Sequence, residues 1–470
     1  MLTLDIIANI INGKTSSSVD LDKKISGFSI DSRTLTPGTV FIALQGEMDH
    51  GNRFIDKAIE HGAVAIITDQ QPELDGISNA VSYILVDDSL AALVKIAEHQ
   101  RNAFKGKVCG VTGTVGKTSV KEALSFLIRE NGLTAHASEK SYNNHIGVPF
   151  TLANLDLNAD IAVIEMGTNH PGEILSLTQL VRPHVAIVTT VGPGHIEFFN
   201  SVSAIAHEKV SIAATLVDGG IAILPADSEF FPLMNDIVIN EYNRNVISFG
   251  KSETANVRTV SVDLTNFHTL HINAIVMDTP VSYDVPTSNT AWVNNSLAIL
   301  AAAHAMGLDT TALASHFSDL PLVNGRGRVY SIQINGKNIT LIDDAYNANP
   351  LSMKAALETL STYPGRKIAI IGDMRELGNF AEHYHIETGQ LCRDLALDQV
   401  LTCGVLMEHA FKKLADHQRL DHVGDYTQVL SILQDAVHEG DVVLLKASNG
   451  VKLHKVVAEL LSASAKAINS

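Results

Sequence analysis

The sequence predicts an α/β fold divided into three domains, and three observations support this prediction. The chain of 470 residues suggests about three domains at the usual domain size. Short apolar runs alternate with helical stretches along most of the chain, which is typical of parallel sheets covered by helices on both faces. Hydrophobic residues make up 46% of the composition, so each domain has enough of them to bury a core of its own.

Residues 1–105 are expected to form a smaller N-terminal α/β domain. The runs "GTVFIAL" and "GAVAIITD" are typical of buried strands, whereas "NRFIDKAIEHG" and "SLAALVKIAEHQRNAF" have helical spacing. The first residues, "MLTLDIIANIINGK", carry Asp5 inside their apolar run and lack a basic start, so we do not expect a signal peptide.

Residues 106–320 are expected to form a central domain built on a parallel sheet. Strands are predicted at "KVCGV", "DIAVIEM", "HVAIVTTV" and "GIAIL", with helices between them. Residues 255–285 alternate Thr, Val and His, which suggests a short antiparallel patch. The most apolar segment, "LAILAAAHAMGL" from Leu297, is too short to cross a bilayer, so we expect a buried helix there.

Residues 321–470 are expected to form a C-terminal, Rossmann-like domain. The segment "FSDLPLVNGRGRVY" clusters Pro and Gly and marks the boundary with the central domain. Asn335-Gly336 lies between two strand-like runs, which is a strong hairpin signal. The strands "KIAIIGD", "QVLTCG" and "DVVLLKAS" then alternate with helices.

Charge and cysteine content exclude several classes of function. The net charge of −17 argues against nucleic acid or an anionic membrane as the main partner. Cys109, Cys392 and Cys403 have no metal-ligand spacing and are expected to be reduced thiols. We therefore expect a cytoplasmic protein without a membrane anchor.

The stretch "GVTGTVGKTSVKEAL" predicts a phosphate-binding loop in the central domain. A strand, a glycine-rich turn and a helix follow one another, which directs free backbone N–H groups and a positive helix end at an anion. Lys117 would reach the β- and γ-phosphates of a nucleotide, and the Thr118 hydroxyl would contact Mg²⁺. Val111 stands where the usual spacing has its first glycine, and a turn without a ligand is the alternative interpretation. The predicted nucleotide contacts are Gly113, Thr114, Val115, Gly116, Lys117, Thr118 and Ser119.

Three further polar residues follow the predicted strands of the central domain. Glu165 ends one strand, His195 lies in a loop after another, and Lys209 lies on a helix. Ligands of open α/β sheets bind at the carboxyl ends of the strands, and Mg²⁺ prefers oxygen ligands such as Glu165. Alternatively, Glu165 caps a helix, His195 makes a loop hydrogen bond and Lys209 is a solvated surface residue.

The segment "LIDDAYNANP" is a candidate binding loop in the C-terminal domain. It places Asp343, Asp344, Tyr346, Asn347 and Asn349 immediately before a predicted helix. So many polar side chains suit ligand binding, although a turn rich in Asp and Asn would also explain them.

Taken together and in order, the motifs of this chain resemble those of the Mur ligase family. These motifs are "GVTGTVGKTS", "YNNHIGVP", "IEMGTNHPGEI", "GPGHIEFF", "LIDDAYNANPLSM" and "GDMRELG". The resemblance as a whole covers the chain from about residue 29 to about residue 456. The resemblance implies an ATP-dependent amide ligase that activates a carboxylate as an acyl phosphate. "DDAYNANP" and "GDMRELG" are most specific to the member that joins D-alanyl-D-alanine to UDP-N-acetylmuramoyl-tripeptide in peptidoglycan synthesis. "DSRTLTPGTVFIALQGE" is shared with the ligase of the preceding step.

The resemblance also implies roles for the residues near the predicted phosphate-binding loop. Lys117 and Thr118 would take the phosphate and the first Mg²⁺, and Glu165 and His195 match metal-ligand positions. Lys209 matches a lysine that the family carbamylates with CO₂. A bare ammonium beside Mg²⁺ would be repelled, whereas a carbamate supplies an anionic oxygen.

The remaining roles implied by the resemblance concern the three substrates. Asn295 matches a residue near the adenine and Asp344 one at the ribose. Arg328 matches an arginine that reaches the phosphates when the C-terminal domain closes. The incoming dipeptide is expected around Asn347 and Asn349. The expected contacts of the UDP-sugar substrate are Ser32, Arg33, Gly46 and Glu47. Asn144 is also expected to bind substrate.

This chain departs from the family pattern at several positions, and two other functions stay open. Ala291 and Trp292 replace a usual His and Asn, and Ser211 stands where glutamate is common. The late "KGSR" pattern reads "KASN", and the "DGH" after Gly46-Glu47 reads "HGN".

One alternative function is that of a related ligase with another amine, either the ligase of the preceding step or a folate polyglutamylating enzyme. The other is an ATP-binding regulator without catalysis. We also expect a monomer.

Overall fold

The computed structural model describes residues 2–15, 22–46, 49–70, 81–265 and 268–468, with side chains to residue 464. The described residues form three sheets of five, nine and six strands. Each sheet lies within one of the three predicted segments, and the predicted three-domain α/β fold is confirmed. The boundaries at residues 105 and 320 stay predictions. Among the described residues, no helix is long and apolar enough to cross a membrane.

The N-terminal sheet has the strand order β1-β5-β4-β3-β2 and is parallel except for β1. The central strands β3 and β4 are fully buried, because each is an unbroken apolar run that helices cover. The elements are α1 (Leu4–Ile11), β1 (Lys14–Thr15), β2 (Gly27–Ser29), β3 (Thr39–Ile42), α2 (Ile55–Glu60), β4 (Ala65–Thr68), β5 (Ser82–Leu85) and α3 (Ser89–Ala103).

The central sheet has the order β14-β13-β12-β11-β10-β9-β6-β8-β7. Strands β6 to β12 are parallel, and β12, β13 and β14 pair antiparallel, as predicted for residues 255–285. The elements are β6 (Lys107–Thr112), α4 (Lys117–Glu130), β7 (Ala135–Ala137), α5 (Gly147–Ala153), β8 (Ile161–Glu165), α6 (Glu173–Val181), β9 (Val185–Val188), α7 (Ile196–Phe199), α8 (Val202–Val210), β10 (Ile221–Pro225), α9 (Phe231–Asp236), β11 (Asn245–Gly250), β12 (Val257–Thr265), β13 (Thr269–Val276), β14 (Thr279–Val285), α10 (Ala291–Ala305) and α11 (Thr310–Ala314).

The C-terminal sheet has the order β15-β16-β20-β17-β18-β19, in which all pairs except the β15–β16 hairpin are parallel. Asn335 and Gly336 turn the predicted hairpin with φ of 50° and 76°, which these residue types adopt at low cost. The elements are β15 (Arg328–Ile334), β16 (Lys337–Asp343), α12 (Pro350–Ser361), β17 (Lys367–Gly372), α13 (Ala381–Asp394), β18 (Gln399–Cys403), α14 (Met407–Phe411), β19 (Arg419–Val423), α15 (Val429–Ala436), β20 (Val442–Lys446) and α16 (Leu453–Ile468).

Two sheet edges place the polar residues of the predicted site. In the central sheet, Val111 of β6 pairs with Glu165 of β8, so the phosphate-binding loop begins beside this carboxylate. In the C-terminal sheet, Asp343 pairs with Leu445, which places the loop after β16 beside Lys446 at the end of β20. Helix α10, predicted from its apolar sequence, is buried beside the central sheet. The carboxyl ends of both sheets therefore present side chains to one cavity, described next.

Candidate active site

A cavity of about 280 Å³ lies between the central and C-terminal sheets. It contains most of the residues predicted for the nucleotide and metal, together with several that the sequence analysis did not single out. The predicted residues that line it are Thr114, Val115, Gly116, Lys117, Thr118, Ser119, Glu165, His195, Asn295, Asp344, Asn347 and Asn349.

The glycines of the phosphate-binding loop are required by both backbone conformation and space. Gly113 and Gly116 have φ of 146° and 92°. A Cβ at Gly113 would lie 1.9 Å from Oγ1 of Thr189, and one at Gly116 would lie 2.6 Å from Oδ1 of Asn295. Helix α4 begins directly after Gly116, so its free N–H groups point into the cavity.

Lys117 lies folded back on its own loop. Its Nζ donates to the carbonyl oxygen of Gly113 at 2.6 Å, and burial lowers the pKa of the amine. A buried ammonium next to free helix N–H groups provides a strongly electropositive surface. The loop is therefore suited to hold a polyphosphate.

Glu165 and Thr118 form an oxygen-rich corner next to the loop. The Thr118 hydroxyl donates to Oε1 of Glu165 at 3.2 Å, and Nδ2 of Asn143 donates to the same oxygen at 2.7 Å. The other carboxylate oxygen, Oε2, is buried without a hydrogen-bond partner among the described residues. Glu165 does not cap helix α6, because Glu208 accepts from the backbone N–H groups at that helix start.

This corner is suited to Mg²⁺ that is held partly by protein groups and partly by other ligands. The free Glu165 oxygen and the Thr118 hydroxyl are hard oxygen ligands, which Mg²⁺ prefers. The described part of the chain has no cluster of three or more His, Cys, Asp or Glu side chains that could hold a metal. Phosphate oxygens and water would therefore complete the coordination.

His195 forms a contact between the central and C-terminal regions. It has a positive φ of 58°, and its Nδ1 lies 2.5 Å from Oε2 of Glu376, which also has a positive φ of 62°. The imidazole lowers the pKa of the Glu376 carboxyl. His195 thus contacts Glu376 of the C-terminal region and is also a residue of the cavity wall.

Lys209 is buried without a partner. Only 2% of its surface is exposed, and its amine makes no hydrogen bond or ion pair with the described residues. Burial, together with the charge of Lys117, lowers the pKa of Lys209 to about 7. The interpretation of Lys209 as a solvated surface residue is therefore wrong.

The structure brings Arg326 into the cavity and leaves Arg328 outside it. Arg326 Nη2 donates to Oγ1 of Thr118 at 3.1 Å, and the guanidinium lies 4.5 Å from the ring centre of Tyr346. Arg328 donates to Asn324 at 2.7 Å and lines a separate cavity of about 470 Å³. Gly327, at φ of 82°, turns the backbone between the two arginines. The sequence "GRGR" contains no signal that distinguishes them.

Asp344 is paired with a lysine that the sequence analysis did not assign to the site. Lys446 Nζ donates to Oδ2 of Asp344 at 2.6 Å and to the carbonyl oxygen of Asn347 at 3.1 Å. Burial raises the pKa of Asp344, and Lys446 opposes this shift. The late "KASN" segment, which was noted only as a departure from the family pattern, is the signal that could have identified Lys446.

Segment 141–143 connects the cavity to two other regions. Ser141 Oγ and the Tyr346 hydroxyl lie 3.0 Å apart, which joins the central region to the C-terminal loop. Tyr142 lines another cavity, which lies in the N-terminal region. Asn143, the neighbour of the predicted Asn144, contacts Glu165. The "YNN" pattern was therefore informative, but it did not show which asparagine reaches the site.

The N-terminal cavity lined by Tyr142 has a volume of about 520 Å³ and contains most of the residues predicted for the UDP-sugar. Ser32, Arg33 and Gly46 line it, and Glu47 lies outside the described residues. Arg33 pairs with Asp31 at 2.7 Å and lowers the pKa of that carboxyl to about 2. Asn144 is not part of its wall, because its Oδ1 accepts from the N–H groups of residues 146 and 147 at the start of α5.

Comparisons with known proteins identify the family along most of the chain. Three family models match the chain: "Mur ligase family, catalytic domain" at residues 24–106, "Mur ligase middle domain" at 111–303 and "Mur ligase, glutamate ligase domain" at 326–449. The UDP-N-acetylmuramoyl-tripeptide–D-alanyl-D-alanine ligase of Rickettsia prowazekii is 32% identical, covering 91% of this chain and 93% of the relative. The enzyme of the same name from Escherichia coli is 32% identical and covers 98% of both chains.

A solved structure with the same fold contains a bound nucleotide. The crystal structure of the MurF ligase of Thermotoga maritima in complex with ADP has a TM-score of 0.79 and 29% identity. The match covers 95% of this chain and 99% of that one. The shared fold therefore extends over all three sheets.

Proposed function

The chain belongs to the Mur ligase family, and from this membership and its site we infer that it joins D-alanyl-D-alanine to UDP-N-acetylmuramoyl-tripeptide with ATP. The product is the UDP-linked pentapeptide precursor of peptidoglycan. The relatives from Rickettsia prowazekii and Escherichia coli are named for this reaction, and each matches this chain over nearly its whole length. This similarity disfavours the ligase of the preceding step and a folate enzyme. The observation that carries the proposal is the cavity that joins the phosphate-binding loop to the loop after β16.

The chemistry explains why a phosphate-binding loop serves an amide ligase. A carboxylate is a poor electrophile, so the γ-phosphate of ATP is transferred to the terminal carboxylate of the tripeptide, and ADP leaves. The amine of D-alanyl-D-alanine then attacks the acyl phosphate, the new C–N bond forms and inorganic phosphate leaves with the loss of a proton from nitrogen. Both steps depend on positioning and on neutralising phosphate charge.

Cations around the loop are the groups that we assign to the phosphates. Lys117 would turn from the Gly113 carbonyl to the β- and γ-phosphate oxygens when the nucleotide binds. Arg326 is the arginine whose position supports a phosphate contact, because it already reaches Thr118. Arg328 remains the prediction from the family pattern, and a pair of variants distinguishes the two.

We assign the Mg²⁺ position to Thr118 and Glu165, with His195 and a carbamylated Lys209 as further ligands. The metal ion would neutralise phosphate charge that the protein alone does not balance. The unpartnered Oε2 of Glu165 supports the assignment.

Carbamylation of Lys209 has a physical basis in its surroundings. With a pKa of about 7, a large fraction of the amine is neutral at physiological pH and carries the lone pair that attacks CO₂. The neutral amine attacks CO₂, the Nζ–C bond forms as one C=O π bond opens, and one proton leaves the nitrogen, so the amine becomes an anionic carbamate. The anion would in addition offset the charge of nearby Lys117.

The substrate contacts are assigned to the cavity at the phosphate-binding loop and to the N-terminal cavity. Asn295 and Asp344 are assigned to the adenine and ribose of ATP, and Asn347 and Asn349 to the incoming dipeptide. Asn349 also caps helix α12, so its backbone position is rigid. The assigned UDP-sugar contacts are Ser32, Arg33, Gly46 and Glu47, of which the first three line the N-terminal cavity. Asn144 stays a predicted substrate-binding residue.

We also propose a cytoplasmic monomer. The three cysteines are free and buried, which suits a reducing compartment where ATP is available. All groups of the assigned site belong to one chain, so a second copy is not needed for chemistry.

The decisive experiment is a ligase assay with the purified protein. ATP, Mg²⁺ and D-alanyl-D-alanine are combined with UDP-N-acetylmuramoyl-tripeptide containing lysine or diaminopimelate, and the product is identified by mass. We expect pentapeptide formation with one of the two donors and a matching release of phosphate. Phosphate release with a different amine, or no product with either donor, would contradict the proposal.

A further inference from the structure

We propose that Lys121, which the mechanism above does not use, is a positioning residue for the metal carboxylate Glu165. In this proposal Lys121 holds segment 138–143, and that segment in turn orients Glu165. The inference deepens the proposed function and rests on it, because the metal site is part of that function. Its test measures metal-dependent nucleotide binding and does not require the amine substrate.

Lys121 is a buried cation held by two hydrogen bonds and one ion pair. It lies on α4, four residues after Lys117, and none of its surface is exposed. Its Nζ donates to the carbonyl oxygens of Ser138 at 2.6 Å and Lys140 at 2.8 Å, and lies 2.6 Å from Oε1 of Glu122. Burying an ammonium is costly unless its partners are well placed, so these contacts hold the segment firmly against α4.

The segment needs this support because its backbone is strained. Lys140 has a φ of 49°, in the left-handed region that non-glycine residues rarely adopt. Such a conformation persists only where surrounding contacts enforce it, and it often marks a functional site. The hydrogen bond from Lys121 ends on the carbonyl of this same residue.

The other end of the segment touches Glu165 at two points. Ser138 Oγ accepts from the backbone N–H of Glu165 at 3.2 Å, and Asn143 Nδ2 donates to Oε1 of Glu165 at 2.7 Å. Asn143 is itself held by the N–H of Gly167, which donates to its carbonyl oxygen at 2.7 Å. These contacts occupy Oε1 and leave Oε2 as the oxygen available to a metal. Without Lys121 the segment would relax and Glu165 would lose this orientation.

The test compares Lys121→Met with Lys107→Met. Lys107 is a control for the loss of a lysine-to-carbonyl hydrogen bond, because its Nζ donates to the carbonyl oxygen of Met306 at 2.6 Å, at the opposite end of strand β6. Unlike Lys121, Lys107 is exposed. ADP affinity is measured by calorimetry with and without Mg²⁺. Loss of a residue that orients a metal ligand typically weakens metal binding by about 10-fold to about 100-fold.

We expect Lys121→Met to bind ADP without Mg²⁺ as tightly as the wild type does. Its affinity for Mg²⁺, obtained from the difference that Mg²⁺ makes to ADP binding, is expected to fall by about 10-fold to about 100-fold. Lys107→Met is expected to behave like the wild type. Equal Mg²⁺ dependence in Lys121→Met and wild type would overturn the proposal. So would an equal loss with and without Mg²⁺, because that result would assign Lys121 to the phosphate-binding loop itself.

A second variant keeps the proposal testable if Lys121→Met is unstable. Glycine adopts a φ near 49° at low cost, so Lys140→Gly removes the strain that Lys121 restrains. We expect the double variant Lys121→Met/Lys140→Gly to recover part of the Mg²⁺ affinity. The proposal would be overturned if the folded double variant recovered no Mg²⁺ affinity, or if both the single and the double variant were unfolded. Either result would mean that Lys121 serves only the stability of the core. Normal metal dependence with no ligation by the wild type would instead count against the proposed function.

Discussion

Replacing Arg326 and Arg328 separately by alanine tests how the C-terminal region contributes to the phosphate site. The two residues are separated only by Gly327, so they are closely matched in sequence position and charge. Arg326 is half-buried and contacts Thr118 and Tyr346, whereas Arg328 is exposed and contacts Asn324. We expect Arg326→Ala to lose most activity and Arg328→Ala to retain it.

The expected magnitude follows from the contact that is lost. A hydrogen bond to a charged group contributes about 1.5 to 3 kcal/mol, and each 1.36 kcal/mol is about tenfold in rate. Arg326→Ala is therefore expected to lower kcat/KM by about 10-fold to about 160-fold. Arg328 lies over the ring of Tyr330 at 5.1 Å, so its loss is expected to cost about 0.5–1 kcal/mol of stability and no turnover.

The assay measures phosphate release at saturating donor and dipeptide, with ATP varied to separate kcat from KM. Arg326→Lys is included, because lysine keeps the charge and loses the planar fork that binds phosphate. We expect it to recover only part of the loss. A larger effect of Arg328→Ala than of Arg326→Ala would refute the argument and support the arginine predicted from the family pattern.

Four further predictions concern the same site. Lys117→Ala is expected to abolish ATP-dependent ligation and leave the fold intact, since the lysine neutralises charge that develops during transfer; near-normal turnover of the folded variant would exclude this loop as the phosphate site. Lys209→Ala is expected to be nearly inactive and partly restored by formate or acetate. In CO₂-free buffer, Lys209→Met is expected to have a higher melting temperature than the wild type. The difference is expected to shrink as the pH rises from about 7 towards 10.5, because in that range the unfolded wild type still binds the lysine proton and the folded wild type does not. Small-angle scattering is expected to show a smaller radius of gyration with an ATP analogue and UDP-tripeptide; an unchanged radius at saturation, with normal turnover of Arg326→Ala, would argue against domain closure.

The sequence alone determined the elements that depend on local physical chemistry. Unbroken apolar runs predicted the parallel strands, because only strands buried on both faces carry them. Asn335-Gly336 predicted the hairpin because both positions need a positive φ. The phosphate-binding loop was predicted for the same reason, since Gly113 and Gly116 permit its conformation. The motif pattern then indicated the family and the reaction.

Only the tertiary structure decided which of several similar side chains reach the site. Gly327 adopts a φ of 82°, and because glycine accepts either sign of φ, no sequence pattern could show that Arg326 and not Arg328 enters the cavity. Of two adjacent asparagines, Asn143 contacts Glu165 and Asn144 binds backbone N–H groups, because a side chain's direction depends on the packing around it. Burial without a partner, which lowers the pKa of Lys209, is likewise a property of the assembled core. Local sequence cannot encode it, because the residues that exclude water from this amine are distant along the chain.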